Sequence, residues 1–269
     1  MRPIFKITAL VASLAALPGL AHAAQCGNSA GGYEAWKTAF GQEAARAGVG
    51  QRGLQALAAT SYAQSTINAD RNQKSFKYSL DKFMQVRGAP TIVSQGRQRR
   101  AQNPGFYATL ERQYGVPAGV ILAIHGMETG FGRFMGDSNV VSSIATLAYD
   151  CRRSGFFTPH ALAALKLVDR GALSANTRGA KHGEVGHTQF LPGNVLQYGV
   201  DADGNGRVDL TNVTDALAST ANFLRQKGWR PGQGYQQGQP NFRVIQEWNA
   251  ATVYQQAIAI MASQIDGGS

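Results

Sequence analysis

A chain of 269 residues with 43% hydrophobic residues and a formal net charge of +10 has enough apolar content to bury a sizeable core, which excludes a disordered or fibrous protein. Two cysteines are too few for a small disulfide framework, and no apolar run is long enough for a membrane-spanning helix. The excess of Lys and Arg favours anionic polymers as partners: nucleic acid, a membrane surface or a cell-wall polymer.

The chain opens with Arg2 and Lys6, an apolar stretch from Ile7 to Leu20, and the small-x-small triplet Ala21-His22-Ala23. That is the pattern of a secretory signal. Cleavage near Ala23 or Ala24 leaves residues 25–269 as one exported domain, periplasmic and without a membrane span. Gln25 stands where a lipid-attachment signal needs a small residue, which argues against a lipid anchor on Cys26. In an oxidising compartment Cys26 and Cys151 most simply pair with each other. Export also makes the wall polymer, rather than nucleic acid, the accessible partner.

Helical periodicity then dominates. Residues 32–49 place Trp36, Ala39, Phe40, Ala44 and Ala47 on one face, and Gln51 to Ala59 forms a second segment beyond Gly48 and Gly50. Tyr62 to Phe76 reads as a polar connection. Tyr78 to Arg87 and Ile92 to Arg100 read as helices parted by Gly88-Ala89-Pro90, with Arg97, Arg99 and Arg100 on a solvated face. Phe106 to Tyr114 is a short amphipathic helix. From Pro117 to Gly130 comes an apolar helix that a proline opens and a glycine closes, and its one carboxylate is Glu128. Ile121, Ile124 and Glu128 fall at i, i+3, i+7, so the acid shares a face with core residues, and desolvation there would raise its pKa into the range of a general acid.

Further helices are expected at Asn139 to Tyr149, Pro159 to Arg170, Val213 to Lys227 and Val244 to Ile265. Ser174 to Gly193 and Gly228 to Gln239 are Gly-rich connections, with room for one small hairpin. No internal repeat is visible. The fold class is mainly α.

Three features carry chemistry besides Glu128. Asp201, Asp203, Asn205, Gly206 and Arg207, the last through its carbonyl, reproduce positions 1, 3, 5, 6 and 7 of an EF-hand calcium loop. Position 12 is Asn212 instead of Glu, and Asp215 stands close enough to supply the missing carboxylate. The same stretch also reads as an Asx-rich turn without metal. His125, Glu128, His182 and His187 suggest zinc, but the His-Glu-x-x-His spacing is missing, and no nucleophile elbow or phosphate cradle is present. Finally, Gln189 and the pair Trp248-Asn249 offer amides and an aromatic ring, groups suited to reading sugar hydroxyls and covering a sugar face.

Four motifs occur together: Gly126-Met-Glu-Thr-Gly-Phe-Gly132, Ala145-Thr-Leu-Ala-Tyr-Asp-Cys-Arg-Arg153, Gly186-His-Thr-Gln-Phe-Leu-Pro192 and Asp215-Ala-Leu-Ala-Ser-Thr-Ala-Asn-Phe-Leu224. With them the sequence resembles the membrane-bound lytic transglycosylase B type of peptidoglycan lyases, from about Tyr33 to the C-terminus. The resemblance implies a lysozyme-like helical fold and cleavage of the β-1,4 bond between N-acetylmuramic acid and N-acetylglucosamine, with 1,6-anhydromuramyl ends as product. It makes Glu128 the single acid and then base, and places Arg152, Arg153, Phe156, Gln189, Phe223, Trp248 and Asn249 on groove positions. It also places a structural calcium ion at Asp201, Asp203, Asn205, the Arg207 carbonyl and Asp215, requires no cofactor for the chemistry, and implies a monomer acting on glycan strands.

The sequence departs from the family pattern at several points. Glu184 adds a carboxylate where the family has Gly-Ala-Met-Gly, Ala180 replaces a serine, and Phe156, Phe223 and Trp248 replace tyrosines. Asn205 replaces an aspartate of the metal loop. A second carboxylate can position a water, so hydrolysis by a lysozyme-like muramidase is the alternative within enzymes. A catalytically weak peptidoglycan-binding protein is the alternative outside them.

Overall fold

A computed structural model describes residues 24–72 and 78–267, and the expected signal segment, apart from Ala24, lies outside that range. The architecture is mainly α, built on thirteen helices among the described residues. Its centre is α7 (Ala118–Thr129), which follows Pro117 and ends at Gly130 in the left-handed region with φ 57°. Every α7 residue except Glu128 is buried. A helix apolar on all sides belongs inside a bundle, so α7 is a core helix rather than the one-faced helix its i, i+3, i+7 spacing suggested.

Around α7 lie α4 (Leu80–Arg87), α5 (Ala89–Gln102), α6 (Pro104–Tyr114), α11 (Val213–Gln226), α12 (Phe242–Trp248) and α13 (Thr252–Asp266), sharing one apolar cluster. The closest neighbour is α13. Gly119 makes that approach feasible: a Cβ there would stand 2.3 Å from the Ala262 carbonyl, and the Gly119 N–H donates to Asp266 Oδ1 at 2.9 Å.

A second apolar cluster joins α1 (Tyr33–Arg46), α2 (Gln51–Ala58), α8 (Val140–Tyr149) and α9 (Ser154–Asp169). Trp36 and Phe40 stack within it at 4.7 Å between centroids. The N-terminal segment is fastened here by the Cys26–Cys151 disulfide, with Cα atoms 4.9 Å apart. The adjoining Gly27 N–H donates to the Tyr149 carbonyl.

Several boundaries differ from the sequence reading. The polar connection at 62–76 contains α3 (Gln64–Arg71), whose inner face is Thr66, Ile67 and Asp70. Thr66 donates to Ser143 Oγ at 3.0 Å, so a polar inward face hid the helix. α5 starts at Ala89, because Pro90 suits a first helical turn. α9 starts at Ser154, one turn and more before Pro159, anchored by buried Phe157. Pro192–Tyr198 forms α10. The expected helix 244–265 is two helices parted at Asn249, whose side-chain carbonyl accepts the Ala251 N–H at 3.0 Å. The small sheet pairs β1 (Ser138–Asn139) antiparallel with β2 (Arg178–Gly179), joined through α8 and α9 rather than through a tight turn. Among the described residues no helix is long and apolar enough to cross a membrane.

Candidate active site

Glu128 ends the last turn of α7, where the helix presents its carbonyls, an unfavourable place for an anion. The α12–α13 break brings two donors onto it: Tyr254 Oη–H donates to Oε1 at 2.6 Å and Trp248 Nε1–H to the same oxygen at 3.0 Å. Part of the residue's surface remains open, but its carboxyl is enclosed enough for burial to push its pKa above the ordinary carboxylate range. The two hydrogen bonds pull the other way, the Glu184 charge adds to the rise, and the Arg87 charge opposes it; the net direction is up. With both donors on Oε1, the acid proton belongs on Oε2. Oε1 is the pinned acceptor and Oε2 is the oxygen on which a proton can sit.

Tyr254 escaped the sequence reading. It is buried on α13 among Ala257, Ile258 and Met261 and reads as a core aromatic. The available signal was its hydroxyl, which needs a partner when buried, and an unassigned carboxylate was the partner to look for.

Trp248 does more than offer a stacking face. Its ring packs edge-on against Phe190 and Phe223, each at 5.2 Å, and its indole N–H supplies a donor in place of the lost tyrosine hydroxyl. Phe223 itself is 3% exposed and also packs on Tyr198, so the expectation that it lines the groove is corrected: it braces Trp248 from behind. Asn249 uses its side-chain carbonyl in the α12–α13 turn, leaving its NH2 as the group for a ligand.

Gln189 has φ 57°, uncommon for a residue with a side chain. Its Nε2 donates to the Gly186 carbonyl at 2.8 Å and to the Met135 carbonyl at 3.3 Å, so only Oε1 is left to accept from a sugar hydroxyl or amide. The neighbouring Val185 and Phe190 close the loop by an antiparallel bridge.

Arg152 and Arg153 sit at the start of α9, and both guanidinium groups pair with buried Asp70, Arg153 at 3.0 Å and Arg152 more tightly. Arg153 also lies over Phe156 and Phe157, at 5.0 and 4.7 Å from their centroids, and Phe156 is half exposed. This group is carried by the second apolar cluster through Phe157, and His182 Nε2 lies 3.8 Å from Asp70 Oδ1. Glu184 Oε2 accepts the His182 backbone N–H at 3.1 Å, and its Oε1 lies 3.6 Å from His182 Nδ1.

The four residues that suggested zinc are engaged separately. His125 Nε2 and His187 Nδ1 share a hydrogen bond of 2.9 Å, His182 belongs to the Glu184 and Asp70 group, and Glu128 has its own donors. Burial holds His125 neutral, with a pKa lowered to about 3.

The metal-loop residues do converge: carboxylate oxygens of Asp201, Asp203 and Asp215 lie within 4.8 Å of one another. Buried Asp215 accepts the N–H groups of Ala202 and Asp209, at 2.8 and 2.9 Å. Asp203 Oδ2 accepts from Asn205 and from Asn212, at 2.8 and 2.6 Å. Three converging carboxylates are a hard-oxygen set that fits calcium rather than a soft metal.

Residues 32–239 match the family model described as the transglycosylase SLT domain. The chain is 35% identical over 121 residues to membrane-bound lytic murein transglycosylase B of Escherichia coli strain K12, an alignment covering 44% of this chain and 34% of that relative's length. The fold is similar to SltB3 of Pseudomonas aeruginosa in complex with NAG-anhNAM-pentapeptide, with a TM-score of 0.80, 30% identity, and 88% of this chain and 80% of that chain covered. It is also similar to soluble lytic transglycosylase SltB1 of Pseudomonas aeruginosa, with a TM-score of 0.77, 24% identity, and 85% and 97% covered.

Proposed function

This chain belongs to the transglycosylase SLT domain family, and from that premise we propose that it is a lytic transglycosylase of peptidoglycan with Glu128 as its one acid and base. The observation that carries the proposal is the pinning of Glu128 Oε1 by Tyr254 and Trp248, which leaves a protonated Oε2 to act on the groove side. Oε2–H protonates the glycosidic oxygen, the C1–O bond breaks, and the N-acetylglucosamine end leaves as an alcohol. The muramyl C6 oxygen then bonds to C1 while the Glu128 carboxylate takes the C6 hydroxyl proton. The proton count closes with no water consumed, so a second catalytic carboxylate is unnecessary.

Gln189, Trp248 and Asn249 line the sugar groove in this reading, and Arg152, Arg153 and Phe156 extend it. The leader-like start of the sequence and the disulfide support a periplasmic site of action. Asp201, Asp203, Asn205, the Arg207 carbonyl and Asp215 would hold a calcium ion that stiffens the loop leading into α11 and takes no part in the reaction.

Mass spectrometry of digested sacculi tests the assignment. The wild type should release 1,6-anhydromuramyl products and Glu128→Gln none. Reducing ends instead would make the enzyme a hydrolase with Glu184 as the second carboxylate, and unchanged lysis by Glu128→Gln would refute the catalytic role.

A further inference from the structure

The segment from Ala24 to Ser29 is tied along its length to the second apolar cluster. Ala24 packs against that cluster, and Cys26 is joined to Cys151. The Gly27 N–H donates to the Tyr149 carbonyl at 3.0 Å, and the Gly27 carbonyl accepts the Cys151 N–H at 3.2 Å. The Ser29 carbonyl accepts the Tyr149 hydroxyl at 2.8 Å. One further tie stands apart from these: the backbone nitrogen of Ala24 donates to Glu43 Oε1 at 2.5 Å.

Glu43 is half-buried on α1, and among the described residues no Lys, Arg or His lies within ion-pair distance of it. Glu34 on the same helix, by contrast, pairs with Lys37 at 2.9 Å. A carboxylate drawn partly out of water is best matched by a cation, and a neutral backbone amide supplies only a hydrogen bond. The group that faces Glu43 is therefore the one nitrogen whose charge depends on processing of the chain.

The leader-like start permits a cut near Ala23 or Ala24, and Glu43 distinguishes the two. Hydrolysis of the Ala23–Ala24 bond takes up one water, leaves a carboxylate on Ala23 with the leader, and turns the Ala24 nitrogen into an ammonium. A cut one bond later removes Ala24 and leaves Glu43 without that partner. The small-x-small triplet Ala21-His22-Ala23 also suits a cut directly after Ala23. We infer that the leader is removed between Ala23 and Ala24 and that the new terminal ammonium pairs with Glu43, an inference that rests on the export reading above. The precursor, with an amide at this position, lacks the pair. Processing thus completes the fastening of a segment whose other ties run to Tyr149 and Cys151, next to Arg152 and Arg153 of the proposed groove.

The test uses the full chain, exported with its own leader. N-terminal sequencing and intact mass should show a mature protein that begins Ala24-Gln25-Cys26. Glu43→Gln keeps an acceptor for an N–H but removes the charge, so it should lower the melting temperature of that protein by about 2–4 °C. A second form carries Gly-Ser inserted between Ala23 and Ala24, which moves the terminal ammonium away and restores an amide at Ala24. There the same substitution should change the melting temperature by less than about 1 °C. A mature chain that begins at any other residue, or an equal loss with and without the insertion, would overturn the pairing. An exported chain cut elsewhere sinks only this proposal, whereas a chain that keeps its leader and stays in the cytoplasm sinks the export reading with it.

Discussion

Replacing Tyr254 by Phe isolates one contact on the proposed acid. The ring and its packing stay, while the hydroxyl that donates to Glu128 Oε1 at 2.6 Å is lost. A hydrogen bond to a charged group contributes about 1.5–3 kcal/mol. At about 1.4 kcal/mol per pKa unit, its loss raises the Glu128 pKa by about 1–2 units on top of the rise burial already causes. Trp248 still donates to the same oxygen and holds the shift to the lower end of that range. The reaction begins with the protonated acid, so kcat/KM falls on the alkaline side as pH passes through this pKa. In Tyr254→Phe that fall should move to higher pH by about one unit, read from initial rates on one defined muropeptide across the pH range. A limb that moves to lower pH, or stays put while kcat drops, would refute the reasoning, since the first reverses the sign and the second makes Tyr254 structural only.

Three further outcomes follow from the same geometry. Because the folded pKa of Glu128 lies above its ordinary value of 4.5, its contribution to stability is complete below that value and lost as pH rises through the folded pKa. Glu128→Gln keeps both hydrogen bonds to Oε1 without the charge, so its melting temperature should exceed the wild type's at neutral pH and converge with it at acid pH; a variant less stable at neutral pH would contradict this. Calcium at about a hundredfold over its Kd should stabilise the protein by about 2.7 kcal/mol, on the order of 5–10 °C in melting temperature. Chelation should reverse the shift and Asp203→Asn should abolish it; a melting temperature indifferent to calcium would remove the metal from the loop. Replacing Cys26 and Cys151 by Ser opens a loop spanning 125 residues and should cost about 5 kcal/mol in the chain-entropy model, seen as a lower denaturant midpoint.

Local signals made α7 legible. Pro117, Gly130 and an unbroken apolar run name a helix and its ends, and Glu128 is its one carboxylate. The cysteine pair was legible from compartment and count. The parts that stayed hidden depend on distant partners. α3 turns Thr66 and Asp70 inward, and a polar inner face has no hydrophobic period to read. The break at Asn249 needs no Gly or Pro, because a side-chain carbonyl capping the next helix does the work. Phe223 illustrates the converse: motif position put it in the groove, but the ring of Trp248 covers it. Tyr254 was hidden for the same reason, since its neighbours are core residues and its partner lies 126 positions away.

Glu184 ties the catalytic and structural arguments together. Its Oε2 accepts the His182 N–H at 3.1 Å, which holds the side chain against its own loop, while its Oε1 stands 3.6 Å from His182 Nδ1, beyond hydrogen-bond length. Burial is the main cause of the raised Glu128 pKa, and the negative charge of Glu184 adds to it. That single effect serves both halves of the proposed reaction. Before bond cleavage it keeps the proton on Oε2; afterwards it makes the Glu128 carboxylate a stronger base toward the C6 hydroxyl. Glu184→Gln should therefore move the alkaline limb of kcat/KM to lower pH and slow formation of the anhydro ring without introducing reducing ends. Anhydro products that give way to reducing ends, or vanish while sugar binding persists, would show that Glu184 touches the reacting atoms after all.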